Sequence, residues 1–296
     1  MSSPALRHRV LLLAAALLFS TGGAAIKSAA LTGWQIACLR SGIAAVFLLL
    51  ALPQARRAWR WRMVPVAVAY AATLITFVLA NRLTTSANAI FLQSAAPLYV
   101  LLLGPLLLGE RIRPADFLYM VAVLAGMAVF FVGIEAAALT APDPRKGNWI
   151  AAASGFAFAL MLVGLRWLSD PNRAPAPSGG AAIATVALGN LLACLAALPW
   201  ALPFPRGTAH DGAVLLYLGT VQIGVAYVCL TRGMRGVPAF EASTLLMVEP
   251  AMNPVWTWLV HGERPGAWSL AGGAMIILAT LAHTWRQGRT GTRITR

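Results

Sequence analysis

The amino-acid sequence predicts an all-α integral membrane protein, with ten transmembrane helices arranged as two inverted five-helix repeats. Three observations predict it. The 296 residues are 59% hydrophobic and only 11% charged, with a mean hydropathy of +0.73. A soluble domain carries about 25% charged residues, so this chain cannot cover a water-facing surface and needs lipid as its solvent. The apolar residues also fall into ten stretches of the length that crosses a hydrocarbon core about 30 Å thick, roughly 20 helical residues. Finally, the second half of the chain repeats features of the first at a fixed offset.

The spans are expected at residues 9–30, 33–53, 62–82, 84–108, 114–135, 147–168, 178–202, 210–235, 238–261 and 265–286. The first opens with Arg7-His8-Arg9 ahead of an apolar run, as a secretory leader does. The run continues past Phe19, and it is read as a membrane helix. Pro, Gly and charge mark the joints at Pro53, Pro142-Asp143-Pro144, Pro203 to Gly207 and Pro238. None of the joints is long enough for a separate domain.

The formal net charge of +14 would point to nucleic acid in a soluble protein. Here the basic residues lie mostly between apolar stretches, where they set topology, so no nucleic-acid partner is expected. Alternate loops hold 16 and 6 of the 23 Lys and Arg residues, with Arg40 inside a span. That bias predicts a multi-pass bacterial inner-membrane protein with both termini cytoplasmic, which requires an even number of spans. Cys38, Cys194 and Cys229 lie in apolar stretches, without CxxC spacing or a histidine partner. Neither a disulfide framework nor a metal site is expected, and no cofactor.

Gly109-Glu110-Arg111 recurs as Gly262-Glu263-Arg264, 153 residues later. At the same offset Arg82 meets Arg235 and Pro97 meets Pro250, while Ala89, Leu92 and Leu106 meet Ala242, Leu245 and Leu259. Phe19 and Lys27 are spaced like Phe158 and Arg166, linking the first span to the sixth. Two halves follow, residues 1–142 and 143–296. Five spans in each force opposite orientations, an architecture common among secondary transporters.

Gly-Glu-Arg closes the fourth and ninth spans, and Leu-Leu-Met-Val-Glu-Pro precedes it in the ninth. Phe19-Ser20-Thr21 with Ile26-Lys27 lies in the first span, and Leu39-Arg40 in the second. In this set and order the chain resembles the EamA-type branch of the drug/metabolite transporter superfamily over nearly its whole length. The resemblance implies a ten-helix carrier. The third, fourth, eighth and ninth spans, with parts of the first and sixth, would surround a central cavity. It also implies export of amino acids and related metabolites, neutral and aromatic amino acids first. The second half has no basic residue corresponding to Arg40.

Polar groups at membrane depth cost free energy against lipid, about 2.5–3.5 kcal/mol for a central charge, so those far from the span ends should face inward. Tyr70, Thr73, Phe77 and Asn81 recur at helical spacing on one face of the third span. Asn88, Phe91, Ser94 and Tyr99 form a similar stripe in the fourth. The eighth offers Gln222 and Tyr227, and the ninth Thr244, Met247 and Glu249. Together they suit a solute with an apolar side chain and a polar head, although helix packing explains any one of them as well. Glu249, 11 residues after Pro238, is expected near the midplane, to bind an ammonium, carry a proton or serve the helix itself. Pro97 and Pro250 each remove a backbone hydrogen bond near mid-span and are candidate hinges. Lys27 and Arg40 are placed near the external span ends, where they would attract a carboxylate leaving the cavity or, as long basic side chains more often do, snorkel to the interface. Glu241 is expected to stabilise the start of its helix, and Glu110 and Glu263 to pair with the adjacent arginines.

The expected function is transport of a small-molecule substrate, an amino acid or similar metabolite, across a lipid bilayer, with a monomer as the simplest assembly. Nucleotide sugars, phosphorylated metabolites and drugs stay open as substrates. A membrane enzyme is disfavoured by the scattered His8, His210, His261 and His283 and by the lack of HExxH, GxSxG or paired-carboxylate motifs. A scaffold would not require an inverted repeat with polar stripes at depth.

Overall fold

The computed structural model describes residues 4–57, 59–107, 114–133, 136–169, 180–204, 207–234, 237 and 239–291. Among them there is no strand, only one isolated bridge between Ala138 and Ala141. The first span is α1 (Pro4–Ser20) and α2 (Gly22–Ser28), and the second is α3 (Gly33–Ala51). A short α4 (Pro53–Arg57) follows, then α5 (Met63–Leu83) as the third span. The fourth is α6 (Ser86–Gln93) with α7 (Ala96–Leu107), and the fifth is α8 (Pro114–Val132). Next come α9 (Pro144–Ser169) and α10 (Ala181–Ala201), the sixth and seventh. The eighth joins α11 (Ala209–Leu216), π-helical turns over Tyr217–Val225 and α12 (Ala226–Gly233). The ninth is α13 (Ala239–Leu246) with α14 (Val248–His261), and the tenth is α15 (Ala267–Gly291).

Eight of these segments are long and apolar enough to cross a membrane. The apolar part of α8 is shorter, and the ninth is divided into two helices, yet both traverse the same thickness. Arg9 meets Glu241 at one end of the ninth segment and Ala24 meets His261 at the other. Asp116 of α8 lies 3.7 Å from His283 of α15, and at the far end Gly133 abuts Trp268. Large apolar side chains cover the outside, Leu106, Val132 and Leu50 among the most exposed. Exposed tryptophans gather at two levels: Trp59, Trp61 and Trp285 at the end that carries the chain termini, and Trp149, Trp200 and Trp268 at the opposite end. Trp268 and Trp285 bracket about 25 Å of α15 at 1.5 Å per residue, and such aromatic belts mark the two interfaces of a bilayer.

The packing partners recur in a pattern. The first span lies against the eighth and ninth, and the sixth lies against the third and fourth. The second packs on the seventh, and the fifth on the tenth. The seventh also packs on the third as the second does on the eighth. Cys38 and Cys194 are free, with sulfurs 3.7 Å apart where the second and seventh spans meet.

Local chemistry accounts for the helix starts and breaks. Thr32 and Gln35 form a capping box at α3, and Thr208 with Asp211 forms one at α11. The fourth and ninth spans break at Ser94-Ala95 and Met247. Each break sits just before its proline, Pro97 or Pro250, which has no N–H to return to the preceding turn. The first span breaks at Thr21. There Ser20 and Thr21 donate their hydroxyls to Leu17 O and Leu18 O, both at 2.7 Å, and such back-bonding bends helices.

Candidate functional site

The end opposite the termini is sealed. Lys27 and Glu263 form an ion pair with Nζ to Oε2 at 2.8 Å, each side chain only 3% exposed. Lys27 also donates to Thr84 O at 2.9 Å and to Thr140 O. The other Glu263 oxygen accepts the Ser86 N–H at the start of α6, at 2.7 Å, where a carboxylate favours the positive helix end. This corrects two sequence expectations. Lys27 does not snorkel, because its partners are carbonyls and a carboxylate that reach it inside the protein. Glu263 meets Lys27 of the first span, since left-handed Gly262, φ 66°, turns the chain at the end of α14.

Close helix approach supports this seal. A Cβ on Gly23 would lie 2.6 Å from Asn253 Oδ1 and 2.8 Å from Ser86 Oγ, and one on Gly22 would lie 2.8 Å from Gln222 Nε2. At this end α2 packs on α14 and α14 on α6. At the terminal end α7 packs on α8 and α9, while α13 packs on α1 and α15. Between α7 and α9 lies an open cleft of about 390 Å³ lined by Pro97, Val100, Leu162, Leu165 and Arg166.

Several expected site residues meet between these ends. Tyr70 of α5 is buried, with its ring 5.9 Å from that of Tyr227, edge to face. Tyr227 in turn meets Phe19 at 5.2 Å. The Tyr70 hydroxyl lies near Asn190 and Tyr227 but makes no well-formed hydrogen bond. Gln222, in the π-helical turns, donates to Phe19 O at 3.3 Å and leaves Oε1 buried without a partner. Glu249 makes no hydrogen bond or ion pair with a described residue, and Tyr227 lies within its electrostatic reach. Both side chains are enclosed by protein yet keep part of their surface accessible. Met247 is half-buried at the break of the ninth span, and Thr244 is exposed on α13.

Other expected residues are engaged elsewhere. Thr73 donates to Ala69 O, Asn81 to Phe77 O and Ser94 to Ile90 O, each within its own helix. Asn88 joins a buried knot. Its amide nitrogen reaches Thr84 Oγ1 and Asn148 Oδ1, and its oxygen accepts from Ser269 at 2.5 Å. Phe77 packs in the main core, as does Phe91 against Phe130. Tyr99 stacks edge to face on Phe156 at 5.7 Å. Pro97 is half-buried and Pro250 buried. Glu241 begins α13 as expected and pairs with Arg9 at 2.5 Å. Glu110 and its neighbours lie outside the described residues.

Sequence reasoning placed Arg40 at an outer span end, where it would snorkel, and missed Asn190. Arg40 is the eighth residue of α3, about 10 Å along it at 1.5 Å per residue, and it is 2% exposed. Its distance from Gly33, counted in helical rise, would have revealed that depth. Asn190 is fully buried at the middle of α10. It donates to Val186 O, and its Oδ1 has no partner.

With one face closed by a buried ion pair, two spans broken in mid-membrane and polar side chains buried at depth, this bundle has the construction of a membrane transporter. The EamA-like transporter family model matches residues 8–132 and again 145–285, and the chain belongs to that family. It is 26% identical to the pseudopaline exporter CntI of Pseudomonas aeruginosa over 280 residues, covering 90% of this chain and 92% of that protein. It is 27% identical to an uncharacterized transporter of Archaeoglobus fulgidus, over 73% of each chain. A protein crystal structure superposes with a TM-score of 0.62 over 94% of this chain and 96% of that one, at 19% identity, a likeness of fold.

Proposed function

We propose that this protein is a secondary carrier of the bacterial inner membrane, with both termini cytoplasmic, that exports small metabolites by alternating access. Neutral and aromatic amino acids are the first substrates to test. Residues 1–142 and 143–296 act as the two inverted repeats.

One observation carries this reading: the main packing partners of the first and sixth spans recur in both halves, while the two faces are packed differently. At the 153-residue offset, α6 corresponds to α13 and α7 to α14. The packing of α6 on α14 closes the face opposite the termini, and its counterpart, α13 on α7, makes no packing of comparable extent among the described residues. A duplicated unit whose halves close one face and not the other can exchange which closure it makes. The Lys27–Glu263 pair has its counterpart in Arg166 and Glu110, at offsets of 139 and 153 residues. This pair of residues would close the terminal face in the opposite state. The double family match and the exporter relatives support the same reading.

Counterflow in proteoliposomes across a metabolite panel tests it. Labelled neutral or aromatic amino acids should enter preloaded vesicles faster than empty ones. Flux confined to another metabolite class would replace the substrate, and the pseudopaline exporter relatives give that class a specific candidate. No flux for any solute would end the carrier reading.

A further inference from the structure

We infer that Arg40 binds the carboxylate of the transported solute, and that Arg40, Tyr70, Asn190 and Tyr227, with Glu249 as the opposite pole, select a zwitterionic amino carboxylate. The inference rests on the carrier reading and names its substrate class.

The chain treats its buried cations differently. Lys27 is matched by Glu263 and two carbonyls, and Arg82 donates to Ala29 O at 3.2 Å. The Arg40 guanidinium has no hydrogen bond or ion pair with any described residue, and its Nε is buried without a partner. The Tyr70 hydroxyl, a potential donor, and Asn190 Oδ1, an acceptor beside it, are unpartnered as well. Tyr70 is within reach of both Asn190 and Arg40. A buried guanidinium left unpaired is strongly disfavoured, and Arg40 of α3 with the Tyr70 hydroxyl of α5 offers donors that a single anion can accept from. The planar guanidinium fork matches a carboxylate with two parallel hydrogen bonds, which an ammonium cannot do.

Tyr227 joins the two poles, lying within electrostatic reach of both Arg40 and Glu249. Those two charges make no ion pair with each other. Each occurs once in the duplicated scaffold: the position corresponding to Glu249 is Ala96, and no basic residue corresponds to Arg40. A solute with a carboxylate at one end and a protonated amine at the other satisfies both poles. A phosphate dianion would satisfy Arg40 and be repelled by Glu249.

The test uses the purified full chain and needs no variant to begin. L-Leucine, L-methionine and L-phenylalanine are each titrated beside their carboxamide and decarboxylated amine, with inorganic phosphate as a further ligand. Intrinsic fluorescence and thermal shift are read, and the same solutes are run in counterflow. The free acids should bind about 10- to 100-fold more tightly than the carboxamides, the range for a hydrogen bond to a charged group. Arg40→Gln should erase that preference, and Arg40→Lys should restore only part of it. Carboxamides binding as well as acids, preferential phosphate binding, no binding of any acid, or a preference that survives in a folded Arg40→Gln protein would each overturn the inference. Flux without carboxylate preference would overturn it and leave the carrier standing. Carboxylate-selective binding without flux of any solute would do the reverse.

Discussion

Two buried polar residues show how differently one side chain can matter. Glu263 has both oxygens committed, to Lys27 and to the Ser86 N–H. Glu263→Gln leaves an uncompensated buried ammonium and should cost about 3–5 kcal/mol, whereas replacing both partners by Gln and Met should cost much less. Thermal melting in detergent compares the two, and a double variant less stable than the single would contradict this account. Asn148 is completely buried, accepts from Thr84 at 2.8 Å and Asn88 at 3.1 Å, and donates to Phe130 O at 3.0 Å. Asn148→Leu strands these groups at about 1–3 kcal/mol each. The expected outcome is a lower melting temperature with unaltered solute selectivity, because the knot lies away from Arg40 and Glu249.

At the scale of the element, breaks and close approaches do the positioning. Pro97→Ala and Pro250→Ala would restore an N–H where the fourth and ninth spans are interrupted and favour straight helices. Each should slow counterflow while solute binding in detergent stays within about threefold, a change under 1 kcal/mol. Counterflow at the wild-type rate would make the prolines static kinks. Gly189 in α10 gives Tyr70 its place, since a Cβ there would lie 2.5 Å from the tyrosine Cδ1. Gly189→Val should cost about 1–3 kcal/mol through overpacking and displace the ring toward Tyr227. A titration showing both full stability and unchanged affinity would contradict that assignment.

For the whole molecule, the asymmetry between the two faces is the property to follow. The Lys27–Glu263 face is closed by α2, α6 and α14, and among the described residues α7 and α13 make no packing of comparable extent at the terminal face. Spin labels on α7 and α13 should approach one another when the carrier is driven into its other state, while labels on α6 and α14 separate. Pulsed electron–electron distance measurements with and without solute check this. Distances that shift together in the same direction would rule out a reciprocal motion. The second and seventh spans, paired along the axis, should move least, so oxidative cross-linking of Cys38 to Cys194 should preserve exchange.

By itself the sequence determined the medium and the spans, and it predicted a duplication. Apolar stretches matched to bilayer thickness leave no other solvent for the chain, and backbone hydrogen bonds in lipid must close within each helix. That is why expected span ends at 33, 62 and 261 fall within a residue or so of the helix ends at Gly33, Met63 and His261. Gly-Glu-Arg and the two prolines announced the repeat because they recur at one offset, and Tyr70, Tyr227 and Glu249 were legible as polar groups at depth. The tertiary structure alone decided which polar groups find partners. Asn88 and Asn148 satisfy each other across 60 residues, Lys27 finds Glu263 across the whole chain, and Arg40 finds no hydrogen-bond partner among the described residues. Helical periodicity assigns a residue to a face of its own helix. Which helix stands opposite that face depends on contacts between distant segments, and no local pattern encodes them.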